Sequence, residues 1–327
     1  MKFKFFNPLA NLAGSNVPGW TAFDLSGPGV CVGVRSPKRR GEKPVVERYV
    51  CAQDDSQGAQ VVEKLLKTKP DPSFGRVLVL GLDEYQLFVL DKPFVRPEEL
   101  DASLRWSLRS LVEFSVDQAV LSWMPIPFQE TAENRTEKVY VAIAQKDLVN
   151  AKSEMFSAKL VGLQAVDVRE TSRRNLSALI ESSSGEPGVC MVVPEPLGVH
   201  LTVTHGGELY LDRFIREKMF DPQARNDQEA QDRQFDRVAL EIERTFDFLK
   251  RKLSHVEVRQ VAIAPSQVDI EFDTVMKSKL AYRVESLNLE TLFDLSGVPD
   301  LANRSTQALC LTALGGSLRY LGAFAEK

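Results

Sequence analysis

Short, nearly continuous apolar runs bounded by glycine, proline or charge alternate along this chain with stretches whose apolar residues recur every three or four positions. This alternation of strand and helix signals predicts an α/β protein. Phe23-Asp24-Leu25-Ser26-Gly27-Pro28-Gly29-Val30-Cys31-Val32-Gly33-Val34 reads as a strand, a tight glycine-rich turn and a second strand. Val45–Cys51 is a further strand. A helix is expected over Gln57–Leu66, with Val61, Leu65 and Leu66 on its apolar side, and then a strand over Arg76–Gly81. The unbroken apolar character of that strand is what burial on both faces requires.

Residues from Gln86 to Val168 read as a unit of their own. A strand (Gln86–Leu90) leads to a helix over Pro97–Leu111, where proline suits the first turn and Glu98 and Glu99 suit the dipole. Two strands follow, Ala119–Ile126 and Lys138–Gln145, then a helix from Lys146 to about Leu160 with Gly162 as its C-cap. A strand at Gln164–Val168 completes a βαββαβ order, the ferredoxin-like pattern. Glu181–Gly188 has the composition of a linker.

Beyond the linker the opening pattern returns. Val189–Val193 and Val199–Thr204 are strands around the turn Pro194–Gly198, and Gly206-Gly207 makes a hairpin to Glu208–Phe214. Asp221–Gln234 is polar and aperiodic, a loop or a frayed helix start. In the helix that follows, Phe235, Val238, Ala239, Ile242, Phe246, Leu249 and Leu253 form one stripe, with Leu240 and Phe248 off it. A strand at Val258–Ala264 and further αβ units run to the end. The expected organisation is a duplicated α/β fold: a first domain over residues 1–183 carrying the insert at about 85–168, and a second over 184–327.

Length supports two domains, since 327 residues exceed one small core. A net charge of −4 excludes wholesale nucleic-acid binding, which needs a basic excess. Cys31, Cys51, Cys190 and Cys310 are far apart and form no CxxC pair, so free thiols in a reducing compartment are expected. His200, His205 and His255 lack metal-ligand spacing, so no metal is expected. No apolar run approaches the ~18 residues a membrane span needs. The start, Lys2-Phe3-Lys4-Phe5-Phe6, is not a signal peptide; it packs on the domain or meets an anionic lipid surface, and a cytosolic chain is expected.

A set of short motifs adds to this. Val89 to Leu100 (VLDKPFVRPEEL), Leu104 to Leu108 (LRWSL), Val141 to Lys146 (VAIAQK), Gly162-Leu163 with Val166-Asp167-Val168, Gly207-Glu208-Leu209 with Asp212-Arg213, and Ala313 to Arg319 (ALGGSLR) occur in one order over nearly the whole chain. In this the sequence resembles the PilM/MshI family of actin-like assembly proteins of type IV (MSHA) pilus machines, related in design to the cytoplasmic region of GspL. The resemblance implies an actin/hexokinase-like (ribonuclease-H-like) duplicated fold with a ferredoxin-like insert in the first half. It also implies a cytoplasmic protein held at the inner membrane by a bitopic PilN-like partner, whose N-terminal segment docks on it. That places the chain in the pilus assembly platform, beside its cytoplasmic ATPase.

Actin-like folds hold ATP with three elements, and the resemblance locates each. In the first hairpin Asp24 matches the acid near the metal, and Gly27 and Gly29 keep the turn. Ser26 stands where glycine is usual, the lysine position falls near Cys31, and Pro28 removes an N–H donor. In the second hairpin Val193 stands at the aspartate and Glu195 at the glycine, between Pro194 and Pro196. A carboxylate against phosphate costs about 4 kcal/mol near a protein surface. The third element, a Gly-Gly pair, is replaced by Ala264-Pro265-Ser266. Gly315-Gly316 lies in a helical stretch and reads as close helix packing. The expectation is a degenerate nucleotide site, no catalysis and no cofactor. The alternative is ATP with Mg, bound by an assembly protein whose nucleotide state gates its partner. A small-molecule kinase is disfavoured by the second hairpin.

For partner contact the candidates are Trp106, off the stripe Leu100, Leu104, Leu108 and Leu111, with Arg105 and Arg109 beside it. An aromatic among arginines has hot-spot composition. Coverage of that face by another element would instead make Trp106 core, and Trp123 and Met124 stand under the same two readings.

Overall fold

The structure, a computed structural model, describes residues 17–39, 41–52, 59–67, 70–127, 136–159, 161–217, 228–266 and 272–319. Lys2–Phe6, the start of the helix expected from Gln57, most of Asp221–Gln234 up to residue 227, and Leu160 lie outside the described residues.

Two sheets are built on one plan. The first takes β1 (Gly19–Asp24), β2 (Val30–Arg35), β3 (Val45–Cys51), β4 (Gly75–Val79) and β8 (Ala165–Asp167), in the order β3-β2-β1-β4-β8. The second takes β9 (Gly188–Glu195), β10 (Gly198–His205), β11 (Glu208–Ile215), β12 (Gln260–Ile263) and β13 (Arg283–Ser286), in the order β11-β10-β9-β12-β13. In each, an antiparallel meander comes first and two parallel strands follow, entered through helices. The helices of the first half are α1 (Ala59–Leu66), α2 (Leu100–Leu108), α3 (Lys146–Ser157) and α4 (Arg169–Ser184). Those of the second are α5 (Gln228–Lys252), α6 (Phe272–Lys279), the single turn α7 (Leu289–Leu292) and α8 (Arg304–Gly316).

The apolar stripe of α5 explains why the second sheet folds where it does. Phe235, Val238, Ala239, Ile242, Phe246 and Leu249 are buried against Val199, Leu201 and Val203 of β10 and Val261 and Ile263 of β12. Each large side chain so covered contributes about 1.5–3 kcal/mol. Leu240 and Phe248 stay exposed, so no described element covers that side of α5.

The insert between β4 and α3 consists of β5 (Gln86–Asp91), α2, β6 (Ala119–Ile126) and β7 (Lys138–Gln145). Its sheet has the order β5-β7-β6, with Leu100, Leu104 and Leu108 of α2 buried on Val139, Val141 and Ile143. The βαββαβ order holds along the chain, but its last strand, β8, hydrogen-bonds to β4 and so serves the main sheet. The order of elements does not specify the sheet; the parallel register Val77↔Ala165, Leu78↔Val166, Val79↔Asp167 does.

The division into units also differs from a simple cut at residue 183. One unit comprises the described residues up to Ser36, Glu47–Ser172 and those from Thr312 onward; the other comprises Pro37–Val46 and Arg173–Leu311. The boundary falls inside α4, a helix that runs through the first half of the expected linker to Ser184. The last residues of α8, from Thr312, belong to the first unit. A Cβ on Gly315 would lie 2.2 Å from the carbonyl oxygen of Ser172, so the pair Gly315-Gly316 is what close helix packing requires. Helix α3 ends at Ser157, with Val161 N–H donating to the Phe156 carbonyl, and Gly162 does not have the left-handed backbone of a C-cap glycine. No disulfide joins Cys31, Cys51, Cys190 or Cys310; burial pushes the thiols of Cys31 and Cys190 up to about 12.

Candidate functional site

At the end of β1 the chain turns through Ser26–Gly29. Gly27 and Gly29 have φ of 55° and 73°, the left-handed backbone that favours glycine, and the Gly29 N–H donates to the Ser26 carbonyl at 3.2 Å. Asp24 is 5% exposed, and its Oδ1 accepts from the Ser26 N–H at 2.8 Å. Its second oxygen faces the Arg169 guanidinium, the first residue of α4, at 3.9 Å. Burial raises the Asp24 carboxyl above the usual carboxylate range, and the Arg169 charge and the Ser26 hydrogen bonds offset this only in part.

The surroundings of Asp24 are closely paired. Gly81 N–H donates to Glu84 at 2.9 Å, and Lys152 meets the same carboxylate at 2.5 Å. Tyr85 donates its hydroxyl to Glu170 at 2.6 Å while accepting from the Arg169 N–H at 3.3 Å. Arg169, Glu170 and Tyr85 were not singled out from the sequence. No local signal marks them, because Arg169 meets Asp24 only after the chain has passed through the insert.

Glu195 and Pro265 lie in the second unit, at one end of the second sheet. There β9 and β12 run parallel, with Val192 opposite Ile263. Glu195 is the last residue of β9 and pairs with Gly198 across the hairpin. Its carboxylate is 3.4 Å from Nε2 of His200, a buried ring that lies tilted against Phe214 at 4.5 Å between centroids. Pro194 keeps its carbonyl for the Ser266 hydroxyl at 3.4 Å, and Ala264 N–H donates to Val192. Val193 is a buried apolar side chain.

The third group sits on α2. Trp106 is 73% exposed, so no described element covers it. Arg105 is a strut: it meets Asp101 at 2.8 Å and donates to the carbonyls of Val116 and Ala119 at 2.7 and 3.1 Å. Arg109 caps the helix and reaches Asp117 only at 3.9 Å, leaving its side chain 61% exposed. Trp106 and Arg109 therefore present an outward pair, and Arg105 holds the helix to the next strand. Met124 is buried, and Trp123 packs on the insert core.

Among the described residues no three His, Cys, Asp or Glu side chains are grouped to hold a metal ion, and no helix is long and apolar enough to cross a membrane.

No family model and no curated protein matches the sequence. Solved structures do. A PilM–PilN type IV pilus biogenesis complex matches with a TM-score of 0.64 at 16% identity, over 94% of this chain and 99% of that one. The chain has the actin-like fold. Weaker likeness extends to the cytoplasmic domain of EpsL, an inner-membrane component of the type II secretion system of Vibrio cholerae (10% identity, TM-score 0.46, 84% of this chain and 92% of that one). A protein of Bacteroides thetaiotaomicron described as having an actin-like ATPase fold and unknown function matches at 10% identity and TM-score 0.46, over 93% of this chain and 99% of that one.

Proposed function

We propose that this chain is a non-enzymatic scaffold of a type IV pilus assembly machine, of the MSHA type that the sequence motifs resemble. In this reading it holds the N-terminal segment of a PilN-like bitopic inner-membrane protein and so sits on the cytoplasmic side of that membrane, within the assembly platform and beside its ATPase. The mechanism is protein recognition without covalent chemistry. Likeness over nearly the full length to a PilM–PilN complex supports the partner class.

The observation that carries the non-enzymatic reading is the state of Asp24. A carboxylate that serves Mg-ATP must be ionised and open to the ion, with backbone N–H groups around it. Asp24 is buried, its carboxyl is raised above the usual range, and the Arg169 guanidinium lies 3.9 Å from its second oxygen. Like charges at such a distance disfavour magnesium. Pro194 and Glu195 repeat the mismatch in the second unit. The rival reading, an ATP-gated assembly protein, has in its favour the retained turn with left-handed Gly27 and Gly29.

Calorimetry with the N-terminal peptide of the PilN-like protein tests the partner. Saturable binding by the wild-type chain is expected. Trp106→Ala is expected to weaken it at least tenfold, about 1.4 kcal/mol, with an unchanged circular dichroism spectrum. Absence of binding by the wild type overturns the scaffold proposal, and unchanged affinity in Trp106→Ala retires that residue alone.

A further inference from the structure

The insert sheet has two edges, and they are treated differently. β6 carries Pro125 inside the strand, a residue that blunts an edge by removing a donor. β5, with the sequence QLFVLD, has neither proline nor lysine. In a four-stranded ferredoxin-like sheet this edge would be covered by the last strand of the βαββαβ order, but β8 is committed to β4.

The register shows which main-chain groups the open edge offers. Lys92 N–H donates to the Glu137 carbonyl at 2.7 Å, continuing the ladder in which Gln86 faces Ile143 and Asp91 faces Lys138. In an antiparallel pair, hydrogen-bonded and non-bonded positions alternate. Leu90, Phe88 and Gln86 therefore direct their main-chain groups to β7, and Leu87, Val89 and Asp91 direct theirs outward. Val89 is also 51% exposed, and Leu87, Phe88 and Leu90 are each partly exposed.

We propose that β5 pairs with β5 of a second copy of this chain, antiparallel about a two-fold axis at Val89. The strand is self-complementary in that register. Val89 meets its own counterpart as a hydrogen-bonded pair, and Leu87 and Asp91 exchange main-chain bonds with each other. On the α2 side, Phe88 falls opposite Leu90 of the other copy, and Leu90 opposite Phe88. These are close non-bonded positions, where aromatic–aliphatic pairs stabilise a sheet. Gln86 falls opposite Lys92, so no like charges meet. The contact is isologous and closes on itself, joining the two three-stranded sheets into one. It rests on the insert alone and not on the pilus reading.

The register makes the test specific. A hydrogen-bonded pair has Cα atoms about 5.5 Å apart, within the range that a disulfide spans. Mild oxidation of Val89→Cys is expected to give a covalent dimer. Leu87→Cys, whose neighbour across the axis is Asp91, and the wild type with its half-buried Cys51 are expected to give none. In sedimentation equilibrium the wild type should self-associate, and Val89→Pro should weaken this at least tenfold while retaining its circular dichroism spectrum, since among the described residues no sheet bond uses the Val89 N–H. A wild type that stays monomeric at about 100 µM overturns the proposal. So does a dimer that survives Val89→Pro, or cross-linking that is equal at positions 87 and 89.

Discussion

Arg173→Met is expected to destabilise the second unit by about 3–5 kcal/mol, read as a lower urea midpoint. Arg173 is buried in α4 and grips Asp212 through Nη2 at 3.1 and 3.2 Å, while its Nε lies 3.1 Å from the Thr202 hydroxyl. Thr202 in turn donates to Asp212 at 2.8 Å. Methionine fills much of the same volume but leaves the Asp212 carboxylate buried with only the Thr202 hydroxyl of this set. The penalty is therefore that of a buried carboxylate deprived of its guanidinium and not of lost packing. The double variant Arg173→Met, Asp212→Leu is expected to recover most of the loss, because an apolar pair replaces an ion pair at little net cost. A double variant as unstable as the single one would show that packing, not the stranded charge, sets the penalty.

Glu181→Gln is expected to remove a pH dependence of about 3 kcal/mol. Glu181 lies in the last turns of α4, bonded to the Thr204 hydroxyl and accepting from the Gly207 N–H at 2.7 Å. Burial pushes its carboxyl up from an ordinary 4.5 to about 7, against the opposing pull of Thr204, Gly207 and Arg174. An acid whose folded value is raised favours the protonated form in the fold. The wild type should thus lose stability as pH rises from about 4.5 to about 7, where the unfolded chain ionises Glu181 first. Glutamine keeps a donor for Thr204 and an acceptor for Gly207 without titrating. His205 works in the opposite sense, since burial lowers its imidazole below the ordinary 6.5. The readout is therefore the difference in stability between wild type and Glu181→Gln, which should move steadily in favour of the variant across that window. A difference independent of pH contradicts the assignment.

Both predictions concern α4, the helix that the hydrophobic pattern did not reveal. Glu170, Thr171, Ser172, Arg173, Arg174, Asn175, Ser177 and Glu181 are all buried. Their burial is supported by partners far along the chain, such as Asp212 for Arg173 and Thr204 for Glu181, so no apolar stripe marks the helix. β3, β6 and β7, by contrast, begin and end where their apolar patterning does, because hydrophobic burial alone specifies them. The placement of β8 needed a register that periodicity does not carry. At the site, the acid Asp24 and the proline-rich second hairpin were legible as local motifs. The guanidinium beside Asp24 was not, since it is brought there by the fold. Trp106 could be assigned to the side of α2 away from the core stripe; its exposure depended on whether another element packed there, and none of the described ones does.

Calorimetric titration of the purified chain with Mg-ATP tests the degenerate site most directly. With Asp24 buried beside Arg169, no saturable heat is expected up to millimolar nucleotide. A dissociation constant in the low micromolar range would contradict it and restore the ATP-gated reading.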